Sequence, residues 1–192
     1  MSGLNVERKR ISMPAGWWGT LLFVATEATL FGTLFATYFY LRFNTPQWPP
    51  AGVPEPKVAL PLILTGVLVA TTIPVFFGTR AALAGRARLA WLLFFVALVI
   101  QAGYFGVQVH EFLGDLDKFS PHDSAYASIY FTLLGAHHLH VIAGLLLDGW
   151  LLVRLAGGLT SYRVVAVRAV ALYWYVVAAL AIAVTATQVS PS

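Results

Sequence analysis

A single acid, Glu27, stands near the middle of an unbroken apolar stretch, WWGTLLFVATEATLFGTLFATYFYLRF from Trp17 to Phe43. As a helix rising about 1.5 Å per residue this stretch is about 40 Å long, enough to cross a bilayer. An ionised, unpaired carboxylate at that depth costs about 2.5 kcal/mol or more. The rest of the chain, or a partner, must therefore receive Glu27.

Composition agrees with a membrane setting. Of 192 residues, 59% are hydrophobic and only 10% charged, far below the charge content of a soluble domain. There are no cysteines, which excludes disulfides, iron–sulfur clusters and thiolate metal sites. The net charge of +4 does not point to nucleic acid, because the basic residues lie in short loops between apolar runs.

Five such runs predict an all-α membrane protein, a bundle of five transmembrane helices at about 17–41, 58–79, 89–112, 125–153 and 164–187. Residues 1–16 read as a polar cytoplasmic tail and 17–189 as one transmembrane domain. The first run is too long for a signal-peptide core, so it is expected to stay in the mature protein. On one side fall Arg8, Lys9, Arg10, Arg80, Arg86, Arg88, Arg154, Arg163 and Arg168; on the other, Arg42, Lys57 and Lys118. Nine against three predicts a cytoplasmic N-terminus and an outside C-terminus. The acidic loop with Asp115, Asp117 and Asp123 then faces out. Pro61 and Pro74 are expected to bend the second span or sit at its ends. Ala28, Gly32 and Ala36 on the first span, and Ala102 with Gly106 on the third, form small-residue ridges suited to close helix packing.

With about 100° per residue around each helix, three spans carry polar stripes. Tyr126, Tyr130, His137, His140, Gly144 and Asp148 share a sector of the fourth span, and His138 points away from them. Gln101, Tyr104, Gln108 and Glu111 share a face of the third, opposite His110; Thr20, Glu27 and Tyr38 align on the first. Such stripes face inward or toward a partner. Three readings follow. Metal or haem ligation is weakened by the divergence of adjacent histidines and by the lack of a third ligand. A proton or ion relay suits a carboxylate–imidazole set, but the chain shows no inverted repeat or pair of broken helices. In the third reading Glu27 is simply neutral or paired with His140 or His137. Counted from the Arg-rich helix ends, Glu27 lies about 15 Å deep, His140 about 21 Å and Asp148 about 9 Å, which does not choose between the two histidines.

Several segments resemble subunit III of haem–copper cytochrome c oxidases. Trp18, Gly19, Phe23, Glu27 and Phe31 match that family's W-G-(x)-x-x-F-I-x-S-E-x-x-F-F pattern with its intramembrane Glu. Gln47–Val53, QWPPAGV, resembles its W-P-P turn, and Gln108 with Glu111 stand at Q-x-x-E-Y. DSAYAS at Asp123–Ser128 is similar to D-G-x-Y-G-S. GAHHLHVIAGL at Gly135–Leu145 is similar to G-F-H-G-L-H-V-I-x-G-L, and Arg154 stands where that helix ends. The resemblance runs from about Trp17 to Arg154. Departures are His138 at a glycine position, and Tyr175 and Ala178 where the fifth helix of the family has His and Asp.

The resemblance implies the short, five-helix form; longer members carry two more N-terminal helices. It implies an accessory subunit with no catalytic residues, metal or redox cofactor of its own, within a complex that reduces O2 and moves protons. Haem and copper are expected in partner subunits I and II, and the electron donor, cytochrome c or quinol, would reach the complex rather than this chain. By position, Glu27 is the buried, proton-linked acid, and His137, His140, Asp148, Gln108 and Glu111 form a polar network. Arg154 and Trp48 are lipid-contact candidates, Arg154 suited to a phospholipid phosphate. Location in a bacterial cytoplasmic membrane is expected. Alternatives are the quinol-oxidase subunit III, a repurposed homologue, or a small proton-coupled transporter.

Overall fold

The computed structural model describes residues 15–51, 53 and 57–189; the cytoplasmic-tail reading falls almost wholly outside the described residues. Among the described residues six helices follow one another: α1 Ala15–Asn44, α2 Ala59–Ala70, α3 Thr72–Leu83, α4 Ala87–Leu116, α5 Ala125–Ala156 and α6 Ser161–Val189. Helices α2 and α3 are two halves of one apolar span, so five segments among the described residues are long and apolar enough to cross a membrane. Among the described residues there is no strand.

The helices run past the charged residues at which the apolar runs stop. The third span continues past Phe112 through Asp115 to Leu116, and the fourth through Arg154 to Ala156. Helical hydrogen bonds persist where charged side chains can reach water or headgroups, so hydropathy underestimates helix length. Pro61 lies in the first turn of α2 and Pro74 in that of α3. Pro74 has no N–H for the carbonyl of Ala70, and the helix loosens between them at Thr71, which keeps near-helical dihedrals of −66° and −16°. The Thr71 hydroxyl donates to Leu68 O at 2.6 Å.

The turns are set locally. Helix α3 ends on Gly85 at φ +74°, with Gly85 N bonded to Ala82 O and Arg86 N to Ala81 O; this paired closure needs the left-handed conformation glycine adopts without strain. Ser124 caps α5 by accepting from Ala127 N at 3.1 Å.

Helix α6 is central: half of its most apolar stretch is buried, against 6% for α1. Leu68, Phe94, Leu151, Val167 and Trp174 join α2 to α6 in one apolar cluster. A second cluster, with Phe31, Tyr38, Trp48, Tyr126, Leu133 and Val184, attaches α1 to α5 and α6. The small-residue ridges do not serve this packing. Ala28, Gly32, Ala36, Ala102 and Gly106 are exposed, and a Cβ on Gly32 or Gly106 would meet nothing within 4 Å. The close approaches lie elsewhere, at Gly78 under Phe94 and Gly144 under Trp174.

Candidate functional site: a buried acid–imidazole contact and its polar neighbours

Glu27 on α1 meets His140 on α5, its Oε2 against the ring Nε2. His140 Nδ1 lies 2.6 Å from Ala136 O; a carbonyl only accepts, so Nδ1 carries a proton. The Glu27–His140 contact then holds one further proton, either as an acid donating to a neutral ring or as an imidazolium donating to a carboxylate. The site is nearly closed, with side-chain exposures of 14% for Glu27 and 12% for His140. Phe31 sets its ring edge-on to the imidazole at 5.2 Å, and the Tyr173 hydroxyl donates to His140 O at 2.8 Å.

His137, one turn away on α5, does not join Glu27. It is buried, and its Nε2 lies 3.1 Å from the Tyr104 hydroxyl on α4. Gln108 Nε2 donates to that hydroxyl at 3.1 Å, which frees the phenol's own proton for His137 Nε2. The neutral ring then carries its proton on Nδ1, which is buried without a partner. Sequence position had placed His137 and His140 on one face; the half-sector between them sends one to α1 and the other to α4.

Beyond Gln108, at the end of the bundle opposite the Arg-rich loops, lies a charged cluster. Lys57 bonds Glu111 and lies 4.0 Å from Asp115. Lys118 reaches Asp115 at 3.3 Å, and the Tyr130 hydroxyl donates to the other Asp115 oxygen at 2.8 Å. These groups and Gln108 line a small cavity of about 70 Å³. The bond to Glu111, with the nearby Asp115 charge, holds the Lys57 ammonium above its ordinary pKa.

Asp148 belongs to a separate cluster. It is fully buried beside Gln101 of α4 and Trp174 of α6, with Thr71 at the loosened turn completing the set. Thr71 and Trp174 escape hydropathy reading, one as an ordinary small polar residue and the other as core; the Thr71–Pro74 spacing is the available signal for the first. His138, which points away from the stripe, is buried as well, its Nδ1 at 2.7 Å from Leu134 O and its ring between Phe105 and Phe112.

The lipid-contact candidates separate. Arg154 is exposed and stands over the rings of Trp150 and Tyr162 at 5.6 and 6.0 Å. Both rings line an apolar groove of about 680 Å³ between the first turns of α1 and the facing parts of α5 and α6. Trp48, by contrast, is buried at 7% exposure. Its indole donates to the Tyr38 hydroxyl at 3.2 Å and packs edge-on against Tyr38 and Tyr126. That ring is engaged by protein and does not stand at a lipid-facing surface.

Among the described residues no three His, Asp or Glu side chains converge as a metal ion would require. The described residues bring a carboxyl and an imidazole together and leave an apolar groove beside Arg154.

Comparison with known proteins identifies the family. The family model for cytochrome c oxidase subunit III matches residues 9–184. The chain is 33% identical over 171 residues to cytochrome bo(3) ubiquinol oxidase subunit 3 of Pseudomonas aeruginosa, covering 83% of this chain and 76% of that protein. It is 33% identical over 168 residues to cytochrome c oxidase subunit 3 of Bacillus sp. strain PS3, with the same two coverages. Against cytochrome c oxidase subunit 3 of Thermostichus vulcanus it is 31% identical over 129 residues, which span 67% of this chain and 63% of that protein. With the match extending over most of the chain, and Glu27, His140 and the five spans inside it, this chain belongs to the cytochrome c oxidase subunit III family of the haem–copper oxidases.

Proposed function

We propose that this chain works as the non-redox accessory subunit of an aerobic haem–copper terminal oxidase, seated beside subunits I and II in a bacterial cytoplasmic membrane. The observation that carries this reading is the family match from residue 9 to 184, which encloses the Glu27–His140 contact. Reduction of O2 and the haem and copper that perform it belong to the partner subunits. This chain contributes a protonatable pair inside the membrane and a lipid-binding groove.

The proton-linked role rests on the count of protons at Glu27 and His140. A pair that shares one proton in a nearly closed site can release or take it with little movement of heavy atoms. The lipid role rests on Arg154. Its guanidinium, held over two aromatic rings at the mouth of an apolar groove, suits a phospholipid whose phosphate meets Arg154 and whose acyl chain enters the groove. With Arg154 on the cytoplasmic side, as the charge asymmetry implies, the groove opens to the inner leaflet.

Purification from membranes in mild detergent tests the reading. A preparation carrying haem absorbance and a large partner subunit is expected. A colourless, homogeneous small oligomer that moves solute across liposomes would replace it with a transporter. The relative from Pseudomonas aeruginosa is named as a ubiquinol oxidase subunit, so quinol oxidation is the second reading. Oxygen consumption by the purified complex with reduced cytochrome c or with quinol decides between the two donors.

A further inference from the structure

Away from Glu27, the most completely enclosed acid among the described residues is Asp148, at 0% exposure. The groups that touch its carboxyl are uncharged. One terminal atom of the Gln101 amide lies 2.9 Å from Asp148 Oδ2 and 3.3 Å from Ala97 O, and the other lies 3.2 Å from Thr71 Oγ1. The Trp174 indole comes close enough to interact electrostatically, yet neither its Nε1 nor Asp148 Oδ1 closes a hydrogen bond. The indole is fixed, because the ring lies against Gly144 so tightly that a Cβ there would be 2.7 Å from it. The ion pairs among the described residues do not include Asp148. On the packed elements the other ionisable groups are Arg80 on α3; Arg88, Tyr104, His110, Glu111 and Asp115 on α4; Tyr126, Tyr130, His137, His138, His140 and Arg154 on α5; and Tyr162, Arg163, Arg168, Tyr173 and Tyr175 on α6.

The same heavy atoms fit two hydrogen-bond patterns. With Asp148 protonated, Oδ2–H donates to Gln101 Oε1, Gln101 Nε2 donates to Thr71 Oγ1, and Thr71 donates to Leu68 O at 2.6 Å. Every proton then points the same way, from α5 through α4 to the loosened turn of the second span. With Asp148 ionised, the amide must reverse. Its nitrogen donates to Oδ2 and to Ala97 O, Thr71 turns its proton to the Gln101 oxygen, and Leu68 O loses the Thr71 hydroxyl. The 3.3 Å approach to Ala97 O favours nitrogen at that position, whereas the loss at Leu68 O and an unpaired charge inside a span oppose it.

We propose that Asp148 is an internal proton-binding site held as a neutral acid, and that its proton sets the direction of the hydrogen bonds through Gln101 to Thr71 at the junction of α2 and α3. One proton exchanges with the aqueous phase and one negative charge appears or disappears on Asp148; the amide and hydroxyl only rotate. The site is distinct from the Glu27–His140 contact, with which it shares only α5, and its measurement in the oxidase complex rests on the proposed function.

Infrared difference spectroscopy on the oxidase complex, titrated from neutral to alkaline pH, tests it. A protonated-carboxyl C=O band is expected at neutral pH that Asp148→Asn removes, that Gln101→Leu shifts by deleting its acceptor, and that Thr71→Val shifts by a smaller amount. Should Asp148→Asn fail to assemble, the shifts in the other two variants carry the assignment. A band unmoved by both Gln101→Leu and Thr71→Val, or removal by Asp148→Asn of carboxylate bands only, would overturn the proposal.

Discussion

Glu27 and His140 face each other across the α1–α5 contact with a single proton between them, because the Ala136 carbonyl already claims the proton on His140 Nδ1. Glu27→Gln keeps the shape and a hydrogen bond but removes the exchangeable proton. Assembly should persist, with a stability change within about 1.5 kcal/mol, while turnover under sustained load shortens and proton uptake changes. Oxygen consumption followed to inactivation over a range of pH checks this; an unchanged lifetime at every pH would separate the pair from proton handling.

Gly144 and Gly32 make opposite predictions. A Cβ at Gly144 would meet the Trp174 indole at 2.7 Å, whereas one at Gly32 meets nothing within 4 Å. Gly144→Ala should cost about 1–3 kcal/mol as overpacking and move the indole beside Asp148. Gly32→Ala should leave this chain's thermal unfolding in detergent unchanged.

That contrast also marks where the sequence is legible. Run length and hydropathy identify five spans, because the cost of exposing backbone or charge to lipid is large and local. Helical angle tells which residues share a face, so the stripes of α4 and α5 are visible in advance. It does not tell which face meets which neighbour. The ridge at Ala28, Gly32 and Ala36 looks built for packing, yet it points outward, while α1 binds the bundle through Phe31, Tyr38 and Glu27. The same limit left Glu27 between two histidines. The rise along the helix puts His137 and His140 at nearby levels, and only the placement of α1 against α5 and α4 against α5 separates them. Trp48 was opaque for another reason: a W-P-P turn reads as interfacial, but its indole closes onto Tyr38 and Tyr126.

Tyr38 carries much of that closure. Its hydroxyl donates to Thr187 O at 2.6 Å and accepts from Trp48 Nε1 at 3.2 Å, tying the end of α1 to the end of α6 and to the following loop. Tyr38→Phe leaves a buried carbonyl and a buried indole N–H without that partner, at about 1–3 kcal/mol. Faster hydrogen exchange is expected at the end of α1 and around Trp48, with the Leu68–Phe94–Trp174 region unaffected.

Lys57 supplies a pH dependence with a definite sign. Its folded pKa is raised above the ordinary 10.5 by the bond to Glu111. A raised pKa means that the folded state binds this proton more tightly than the unfolded state. The contribution is therefore complete below about 10.5 and is lost as pH rises through the higher folded value. The ammonium is nearly half exposed, so salt should weaken the effect. Lys57→Met should lower stability modestly at neutral pH, where the pair is complete, and converge with the parent chain at strongly alkaline pH, so that the alkaline limb flattens. Thermal unfolding between neutral and strongly alkaline pH, at low and high salt, measures both.

Arg154 gives the sharpest test of the groove. Its charge stands over Trp150 and Tyr162, and those rings border the apolar channel that α1 forms with α5 and α6. A lipid there would be held at two points, the phosphate by the guanidinium and the acyl chain by the groove wall. Arg154→Ala removes only the first, so it should reduce retained anionic lipid more than zwitterionic lipid. Ala143→Phe, inside the groove, should displace both kinds equally. Native mass spectra of the two variant complexes, delipidated and then supplied with mixed phospholipids, distinguish these outcomes. Equal retention of all lipids in both variants would mean that neither Arg154 nor the groove holds lipid, and would leave Arg154 as a charged anchor at a helix end.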